Sequence, residues 1–220
     1  MIFIVIPAYN EENKIGRVVR GLFEQGWRNV LVVDDGSTDN TADIARRAGA
    51  QVVCHSANCG QGSALQTGDD FACHHGAQAV VHFDADDQFN PADISGAIDI
   101  IKSNQADVVL GSRFLDNRSQ VPWVKRYIIL PVSRWINFMF TGVLLTDAHN
   151  GFRVLSRPAL EKIRITQAGM AHNSEIVRQI KKYHLKFVEF PVEVRYHEFG
   201  QGIGEGVNIV KDLVVDWFIK

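Results

Sequence analysis

Four residues with oxygen-bearing side chains follow one apolar run in the stretch Asp84-Ala-Asp86-Asp87-Gln88. Two carboxylates separated by one residue, at the end of a strand, can hold a hard divalent cation that bridges two phosphate oxygens, because oxygen ligands suit Mg²⁺ and Mn²⁺. Such clustered negative charge is unfavourable unless a cation neutralises it. The spacing therefore predicts a divalent metal site, with a solvated acidic turn as the alternative.

A second acidic group occurs in Asp34-Asp-Gly-Ser-Thr-Asp39, after another apolar run. Carboxylates in such a loop can accept hydrogen bonds from a nucleobase or a ribose. Ser37 and Asp39 are explained equally well as caps of the following helix. Asp34 and Asp35 are therefore the candidates for contact with a ligand.

Two other groups favour structural explanations. The glycines of Gly60-Gln-Gly-Ser-Ala64 do not make a dinucleotide fingerprint, because Leu65 stands where a third glycine would be needed, and we expect them to allow close helix-to-strand packing. The three cysteines, Cys54, Cys59 and Cys73, do not have the spacing of a common zinc finger, so we expect no zinc site built on them. An odd, sparse set of cysteines indicates a reducing compartment.

The elements that must position these groups can be recognised from the hydrophobic pattern. Apolar runs predict buried strands at 1–6, 29–33, 50–54, 79–83 and 107–110. Between them we expect helices over 12–25, 40–48, 62–76 and 91–104, the last capped by Asn90 with Pro91 in its first turn. Further on, the pattern predicts strands at 152–155 and 186–194 and helices near 173–184 and 207–219. Strands that alternate with helices indicate a parallel sheet, and ligands bind beyond the carboxyl ends of such strands.

Charge is distributed unevenly along the 220 residues. The formal net charge is −2, but residues 1–110 carry −8 and residues 111–186 carry +9. The overall balance argues against nucleic acid as a partner. Within the positive part, residues 121–146 interleave basic and aromatic side chains and contain no uninterrupted apolar stretch of the ~20 residues that a membrane span needs. Two interpretations of this segment remain: an amphipathic helical segment at a membrane surface, and an ordinary helix of the core.

Composition is that of a globular domain, with 46% hydrophobic and 22% charged residues.

Six motifs occur in the order seen in family 2 glycosyltransferases: Pro7-Ala-Tyr-Asn-Glu-Glu12, Asp34-Asp-Gly-Ser-Thr-Asp39, Gly60-Gln-Gly-Ser-Ala64, Asp84-Ala-Asp-Asp-Gln88, Gly111-Ser-Arg113 and Asp147-Ala-His-Asn-Gly-Phe-Arg153. The chain resembles that family, and most of all its dolichol-phosphate mannosyltransferase and polyprenyl-phosphate glycosyltransferase branch. The resemblance implies an α/β, GT-A (Rossmann-like) fold with a mostly parallel sheet flanked by helices, and an amphipathic membrane-proximal helical segment. It implies one domain over 1–220, with a nucleotide-sugar-binding half at 1–111 and an acceptor-side half at 112–220.

The resemblance also implies a nucleotide-diphospho-sugar donor of the GDP-mannose or UDP-hexose type. The residues expected to bind this donor are Pro7, Tyr9, Asn10, Glu11, Asp34, Asp35 and Asp84. Mg²⁺ or Mn²⁺ would be held by Asp84, Asp86 and Gln88, and the residues expected to carry the chemistry are Asp86, Arg113, Asp147 and Arg153. Arg113 and Arg153 are the candidates to neutralise the departing nucleoside diphosphate. Four glycines within 200–206 predict a lid that orders over the donor.

The acceptor distinguishes two mechanisms of inverting transfer. A sugar hydroxyl would need a carboxylate base, for which Asp147 is the candidate, whereas a lipid phosphate is already ionised and needs cations such as those of the positive segment. We expect a polyprenyl phosphate acceptor, with the protein peripheral on the cytoplasmic face of the membrane and a membrane-embedded protein as a further partner. The alternatives are a saccharide hydroxyl acceptor in cell-surface polysaccharide synthesis and a non-catalytic nucleotide-sugar-binding protein.

Overall fold

The computed structural model describes residues 1–116, 118–119, 138, 142–147, 150–169 and 171–195. Most of the expected membrane-proximal segment at 121–146 lies outside these ranges. The expected lid at 200–206 and the helix near 207–219 lie wholly outside them. Across the described ranges, the helices are all too short or too polar to span a bilayer.

Strands and helices alternate through the described residues, as the hydrophobic pattern predicts. The strands are β1 (Ile2–Ala8), β2 (Val30–Asp34), β3 (Gln51–Cys54), β4 (Ala79–His82), β5 (Val108–Ser112), β6 (Arg153–Ser156) and β7 (Phe187–Pro191). The helices are α1 (Ile15–Glu24), α2 (Thr41–Arg47), α3 (Gln61–His74), α4 (Asp93–Lys102), α5 (Arg157–Lys162) and α6 (His172–Lys182).

One sheet contains all seven strands, in the order β3-β2-β1-β4-β6-β5-β7. Every neighbouring pair is parallel except those made by β6, which runs antiparallel between β4 and β5. The expectation of a mostly parallel sheet flanked by helices is therefore confirmed. The register of β6 pairs Arg153 with His82 of β4, and this pairing brings the motif that ends at Arg153 beside the acidic loop that follows β4.

The continuous apolar runs are explained by burial on both faces of the sheet. In β1, Ile4 and Ile6 pack into the core on one side, whereas Phe3 and Val5 pack into the core on the other. Alternate side chains of a strand point to opposite faces, so a strand covered twice must be apolar at every position.

Strand β1 continues through Pro7 to Ala8, past the position at which the sequence predicted its end. Pro7 stands opposite Val33 of β2, but the pairing of β1 with β4 ends at Val5. The amide that proline lacks would point toward the β4 side, where no ladder remains, so the proline causes no loss of a sheet hydrogen bond.

The predicted start of the helix near residue 91 is wrong by two residues. Helix α4 begins at Asp93, and Asn90 Oδ1 accepts a hydrogen bond from Ala92 N at 3.1 Å, which stabilises the turn before the helix. Helix α5 was not predicted. Its local signals are Ser156, whose Oγ accepts from Ala159 N, and a proline in the first turn.

Candidate active site

A cleft of about 480 Å³ lies at the carboxyl ends of the first four strands. Its lining brings together six of the residues predicted for donor and metal binding: Pro7, Tyr9, Glu11, Asp35, Asp84 and Asp86. The last residues of β1 and the loops that leave β1, β2 and β4 supply these side chains, because parallel neighbours end at the same edge of a sheet. The loops that the sequence analysis singled out therefore meet at one edge of the sheet, and their binding roles stay predictions.

Asp84 leaves β4 at the centre of the site and lines both this cleft and a second, smaller one of about 130 Å³. Its Oδ1 accepts a hydrogen bond from Gln61 Nε2 at 3.2 Å. Gly151 lies against the other oxygen, since a Cβ atom at that position would stand 2.2 Å from Asp84 Oδ2. Burial and the neighbouring charge of Asp86 raise the pKa of Asp84 to about 6, against the opposing effect of Arg153. A cation would relieve this unfavourable charge.

Asp86 extends the acidic edge of the larger cleft. Its Oδ1 accepts a hydrogen bond from Gln88 N at 3.1 Å, and burial raises the pKa of its carboxyl. The pKa of Glu11, which also lines the cleft, is raised by burial and by the charge of Asp86, while Lys14 opposes the shift. Carboxylate oxygens of the kind that line this cleft are the ligands that Mg²⁺ and Mn²⁺ prefer.

Gln88 lies on the other side of Asp84 from the larger cleft. It lines the smaller cleft together with Arg113 and Asn150, and its main-chain carbonyl accepts from Arg195 N at 2.8 Å. Asp84 is therefore the member of the predicted metal set that faces both clefts.

The two neighbouring aspartates after β2 differ in their surroundings. Asp35 accepts hydrogen bonds from the main-chain amides of Cys59 at 2.9 Å and Gly60 at 2.7 Å, and its Oδ1 lies 2.7 Å from His55 Nδ1. Asp34 is buried, does not line the cleft, and has an Oδ1 atom with no partner among the described residues. Asp35 therefore faces the cleft and also fixes the loop that follows β3.

Asn10 joins two loops and does not line the cleft. Its main-chain amide donates to Ser37 Oγ at 2.9 Å, and its Oδ1 accepts from Thr38 N at 2.9 Å. Asp39 accepts from Thr41 N at 2.9 Å, in the first turn of α2, which agrees with the capping explanation of that aspartate. Asn10 therefore holds together the loops that carry Tyr9 and Asp35, and its contact with the donor stays a prediction.

Arg113 lines the smaller cleft and is held by Asp147. The guanidinium donates from Nε to Asp147 Oδ2 at 2.7 Å and from Nη2 to Oδ1 at 2.8 Å. Asp147 is buried, also accepts from Asn150 Nδ2 at 3.1 Å, and lines neither of the two clefts. The carboxylate is thus oriented toward the arginine.

Arg153 is fully buried behind the site and does not line either cleft. Its Nη2 donates to the Asn150 carbonyl at 2.9 Å and to Asn173 Oδ1, and its Nη1 has no partner among the described residues. Burial lowers the pKa of Arg153 to about 10, and Asp84 acts against that shift. The structure therefore places this cation behind Asp84, where it acts on the carboxylate through its charge.

Sequence reasoning missed Gln61, Gly151 and Asn173 as residues of the larger cleft. Gln61 lies inside the glycine motif, which was assigned to packing alone. The glycines of that motif do allow a close approach, but the predicted strand partner is wrong: a Cβ atom on Gly62 would stand 2.0 Å from the Gln167 carbonyl oxygen, which lies in a loop. The close helix-to-strand approach occurs at Gly68, against Val5.

A mostly parallel sheet with a cleft lined by acidic residues at its carboxyl edge defines an α/β protein of the class that binds its ligands at this edge. Residues 3–164 match the glycosyl transferase family 2, so the chain belongs to this family and is a glycosyltransferase. The predicted resemblance to the polyprenyl-phosphate branch is confirmed by the names of several relatives.

Two relatives illustrate this branch. The UDP-N-acetylglucosamine–dolichyl-phosphate N-acetylglucosaminyltransferase of Methanococcus voltae is 32% identical, over 95% of this chain and 91% of its own length. The polyprenol monophosphomannose synthase of Mycolicibacterium smegmatis is 26% identical, over 99% of this chain and 86% of its own.

A solved structure supports the fold. The glucosyl-3-phosphoglycerate synthase of Mycobacterium tuberculosis, crystallised with Mn²⁺ and UDP-glucose, has a TM-score of 0.71 to this chain at 19% identity, covering 97% of this chain and 76% of that one. The GT-A architecture predicted from the motifs is thereby confirmed.

Proposed function

We propose that this glycosyltransferase is inverting and metal-dependent, and that it moves a sugar from a nucleotide-diphospho-sugar to a polyprenyl or dolichyl phosphate. The observation that carries the proposal is the position of Asp84 between two clefts, one acidic and nucleotide-sized, the other bearing Arg113. Two substrates that meet at a shared metal carboxylate explain this arrangement. The M. voltae and M. smegmatis relatives, named for dolichyl-phosphate and polyprenol substrates, support the same pair.

The larger cleft is the proposed donor site. Tyr9, which is 46% exposed, offers an aromatic face at its rim, and Asp35 offers a buried carboxylate. Asp84 and Asp86 would hold Mg²⁺ or Mn²⁺ against the diphosphate, with Gln88 contributing from the side of the second cleft. A bound divalent cation supplies charge neutralisation to the departing nucleoside diphosphate. Crystals of the M. tuberculosis neighbour with Mn²⁺ and UDP-glucose support this choice of cation.

Protein residues contribute orientation and charge to the transfer. Gln61 and Gly151 fix the two oxygens of Asp84, and the buried Arg153 favours the ionised carboxylate that the cation needs. Preorganised groups of this kind stabilise charge that develops in the transition state without reorganising during the reaction.

The acceptor proposed for the smaller cleft is an anion. Arg113 lines that cleft, and its two hydrogen bonds to Asp147 hold the guanidinium in place. Because Asp147 accepts from Arg113 and Asn150, it is poorly placed to take a proton from a sugar hydroxyl. A phosphate is already ionised at neutral pH and needs no such base. These contacts favour a lipid phosphate over the saccharide hydroxyl.

A lipid acceptor requires the enzyme to work at a membrane surface. We propose peripheral association with the cytoplasmic face, through the basic and aromatic residues of 121–146, since each cation near an anionic surface contributes about 1 kcal/mol. A membrane-embedded partner protein belongs to the same proposal.

The test compares two acceptors that differ only in the phosphate. The full chain is incubated with Mn²⁺, radiolabelled UDP-N-acetylglucosamine or GDP-mannose, and either a polyprenyl phosphate or the matching free polyprenol. We expect labelled lipid from the phosphate alone, and none after chelation of the metal. Transfer to the free alcohol or to a saccharide, at a rate equal to that of the phosphate, contradicts the proposal.

A further inference from the structure

A group of potential metal ligands of a softer kind lies beside the proposed donor cleft. One ligand atom each from Asp35, His55 and Cys59 lies within 4.8 Å of the others. We propose that these three side chains bind a thiophilic divalent cation of the Zn²⁺ class, and that a cation held there weakens binding of the nucleotide donor. The second half rests on the proposed function, because it requires the larger cleft to be the donor site.

Main-chain contacts hold the three residues in place. His55 follows β3, and its amide donates to the Asp34 carbonyl of β2 at 2.8 Å. Gly36 has a φ of +72°, and a Cβ atom there would stand 2.5 Å from the carbonyl carbon of Ala57. The turn before Cys59 therefore packs directly on the loop that carries Asp35. Main-chain contacts therefore hold the loops that carry the three side chains next to each other.

The imidazole of His55 has the surroundings of a metal ligand. Its Nδ1 lies 2.7 Å from Asp35 Oδ1, and its Nε2 lies 2.9 Å from Thr67 Oγ1. A histidine that binds a metal through one ring nitrogen usually donates its other N–H to an oxygen, which fixes the tautomer. With its proton on Nε2 toward Thr67, His55 presents the Nδ1 lone pair beside Asp35. Neighbouring ligands of a tetrahedral zinc lie ~3.3 Å apart, so a small widening of this contact suffices.

Cys59 supplies the sulfur that distinguishes the group from the acidic metal site. The side chain is exposed, and its thiol makes a weak hydrogen bond to the Ala57 carbonyl at 3.3 Å. Binding of the cation releases the thiol proton to solvent, and the resulting thiolate becomes the third ligand. Cys54 and Cys73 do not belong to the group, so the site differs from one built on cysteine spacing.

The position of this group explains the expected effect on the donor. Asp35 lines the larger cleft, and so do Asn58 and Gly60, the neighbours of Cys59 in the chain. A cation held by Asp35 and Cys59 would lie in the wall of that cleft. It would add a positive charge at a different place from the metal site proposed at Asp84 and Asp86. Donor binding would have to displace the cation or accept a distorted wall. Free zinc would then oppose the enzyme by competing with its donor.

Cobalt provides a direct test, because a thiolate bound to Co²⁺ gives a charge-transfer absorption band in the near ultraviolet that oxygen ligands do not give. The full chain, reduced and kept free of oxygen, is titrated with Co²⁺ in an excess of Mg²⁺. We expect one equivalent of Co²⁺ to produce the band in the wild type. Cys59→Ser should abolish it and His55→Gln should weaken it, while Cys54→Ser, which alters another exposed cysteine, leaves it unchanged. Circular dichroism verifies that each variant is folded.

The second measurement is the affinity for UDP and for GDP, each with Mg²⁺, before and after one equivalent of Zn²⁺. We expect Zn²⁺ to lower the affinity for the nucleotide at least tenfold in the wild type and to leave it unchanged in Cys59→Ser. No band in the wild type, or a band that persists in Cys59→Ser, overturns the site. A normal band with unchanged nucleotide affinity overturns the competition. If neither nucleotide binds while the band behaves as expected, the donor assignment fails and the cation site stands.

Discussion

Arg113 and Asp147 form an ion pair with two hydrogen bonds, in which the carboxylate is almost completely buried and the guanidinium stays 23% exposed. The main-chain amide of Arg113 donates to the same carboxylate at 3.1 Å. The exposed side of the guanidinium lines the smaller cleft. Asp147 therefore fixes the orientation of the guanidinium at the smaller cleft, the proposed acceptor site.

Asp147→Asn distinguishes this positioning role from that of a base. We expect transfer to a polyprenyl phosphate to persist within about tenfold of the wild type, because an ionised phosphate needs no base. The substitution should instead lower the free energy of unfolding, by about 2 kcal/mol for each charge-assisted hydrogen bond that is lost. Urea unfolding should report the lower stability. Asp116→Asn, in a more exposed pair with Arg118, is the matched control and should change both quantities little. Complete loss of turnover in a folded Asp147→Asn protein would restore the base and the saccharide acceptor.

Asp86→Asn should lower metal-dependent turnover by at least ~100-fold, because it removes one preorganised charge from the proposed metal site. The protein should remain folded, since the Asp86 side chain accepts only a local main-chain hydrogen bond in the contacts described. Asp87→Asn is the control: that side chain pairs with Arg17 at 3.0 Å and is not part of the proposed ligand set. Equal Mn²⁺-dependent rates for the two variants would show that the cation is held elsewhere.

Gly151→Ala tests the close approach behind Asp84. The added Cβ atom would stand 2.2 Å from Asp84 Oδ2, so the carboxylate must move, and we expect Mn²⁺ affinity and turnover to fall together. Misplacement of a reacting group by about 1 Å can cost ~100-fold in rate. Gly169→Ala adds the same methyl group where no neighbouring atom of the described residues lies within 4 Å and should behave as the wild type. Calorimetric titration with Mn²⁺ compares the two.

The pKa of Asp84, raised to about 6, predicts a pH dependence of metal binding. A cation needs the ionised carboxylate, so Mn²⁺ affinity in the absence of nucleotide should be about tenfold weaker at pH 5 than at pH 7.5. A flat titration over this range would contradict the shifted pKa.

The stability of the metal-free chain should have the opposite trend. A carboxyl whose folded-state pKa is raised stabilises the folded state most at low pH, and this contribution is lost as the pH rises through about 6. Asp84→Asn removes this titration and should reduce the fall in unfolding free energy between about pH 4 and pH 6. Denaturant unfolding with a chelator present measures both proteins.

Much of the fold was predictable because the signals are local. The run 1–6 is apolar at every position and the run 79–83 at every position but His82, a pattern typical of strands covered on both faces, and loops with polar and acidic residues follow these runs. Asp84 and Asp86, the proposed metal ligands, could be singled out for the same reason, since their type and spacing are visible within five residues.

The remainder depends on contacts between distant parts of the chain. Nothing near Gly151 in the sequence indicates that it lies against Asp84, and Asn173 reaches the cleft from α6, about 90 residues after β4. The same holds for two hydrogen-bonded carboxylates. Asp35 accepts from amides of the loop after β3, and Asp147 accepts from Arg113, and neither contact can be recognised before the loops meet. Such pairings decide whether a carboxylate is free to react, which residue type alone does not reveal.

The antiparallel strand β6 has a consequence for how the protein is made. It separates β4 from β5, although both precede it in the chain. A nascent chain that has emerged from the ribosome only as far as β5 would contain β4 and β5 without the strand between them, and the Asp84 loop without the glycine that fits against it. We expect such a fragment to remain incompletely folded until residue 156 is synthesised, so that the larger and the smaller cleft form together.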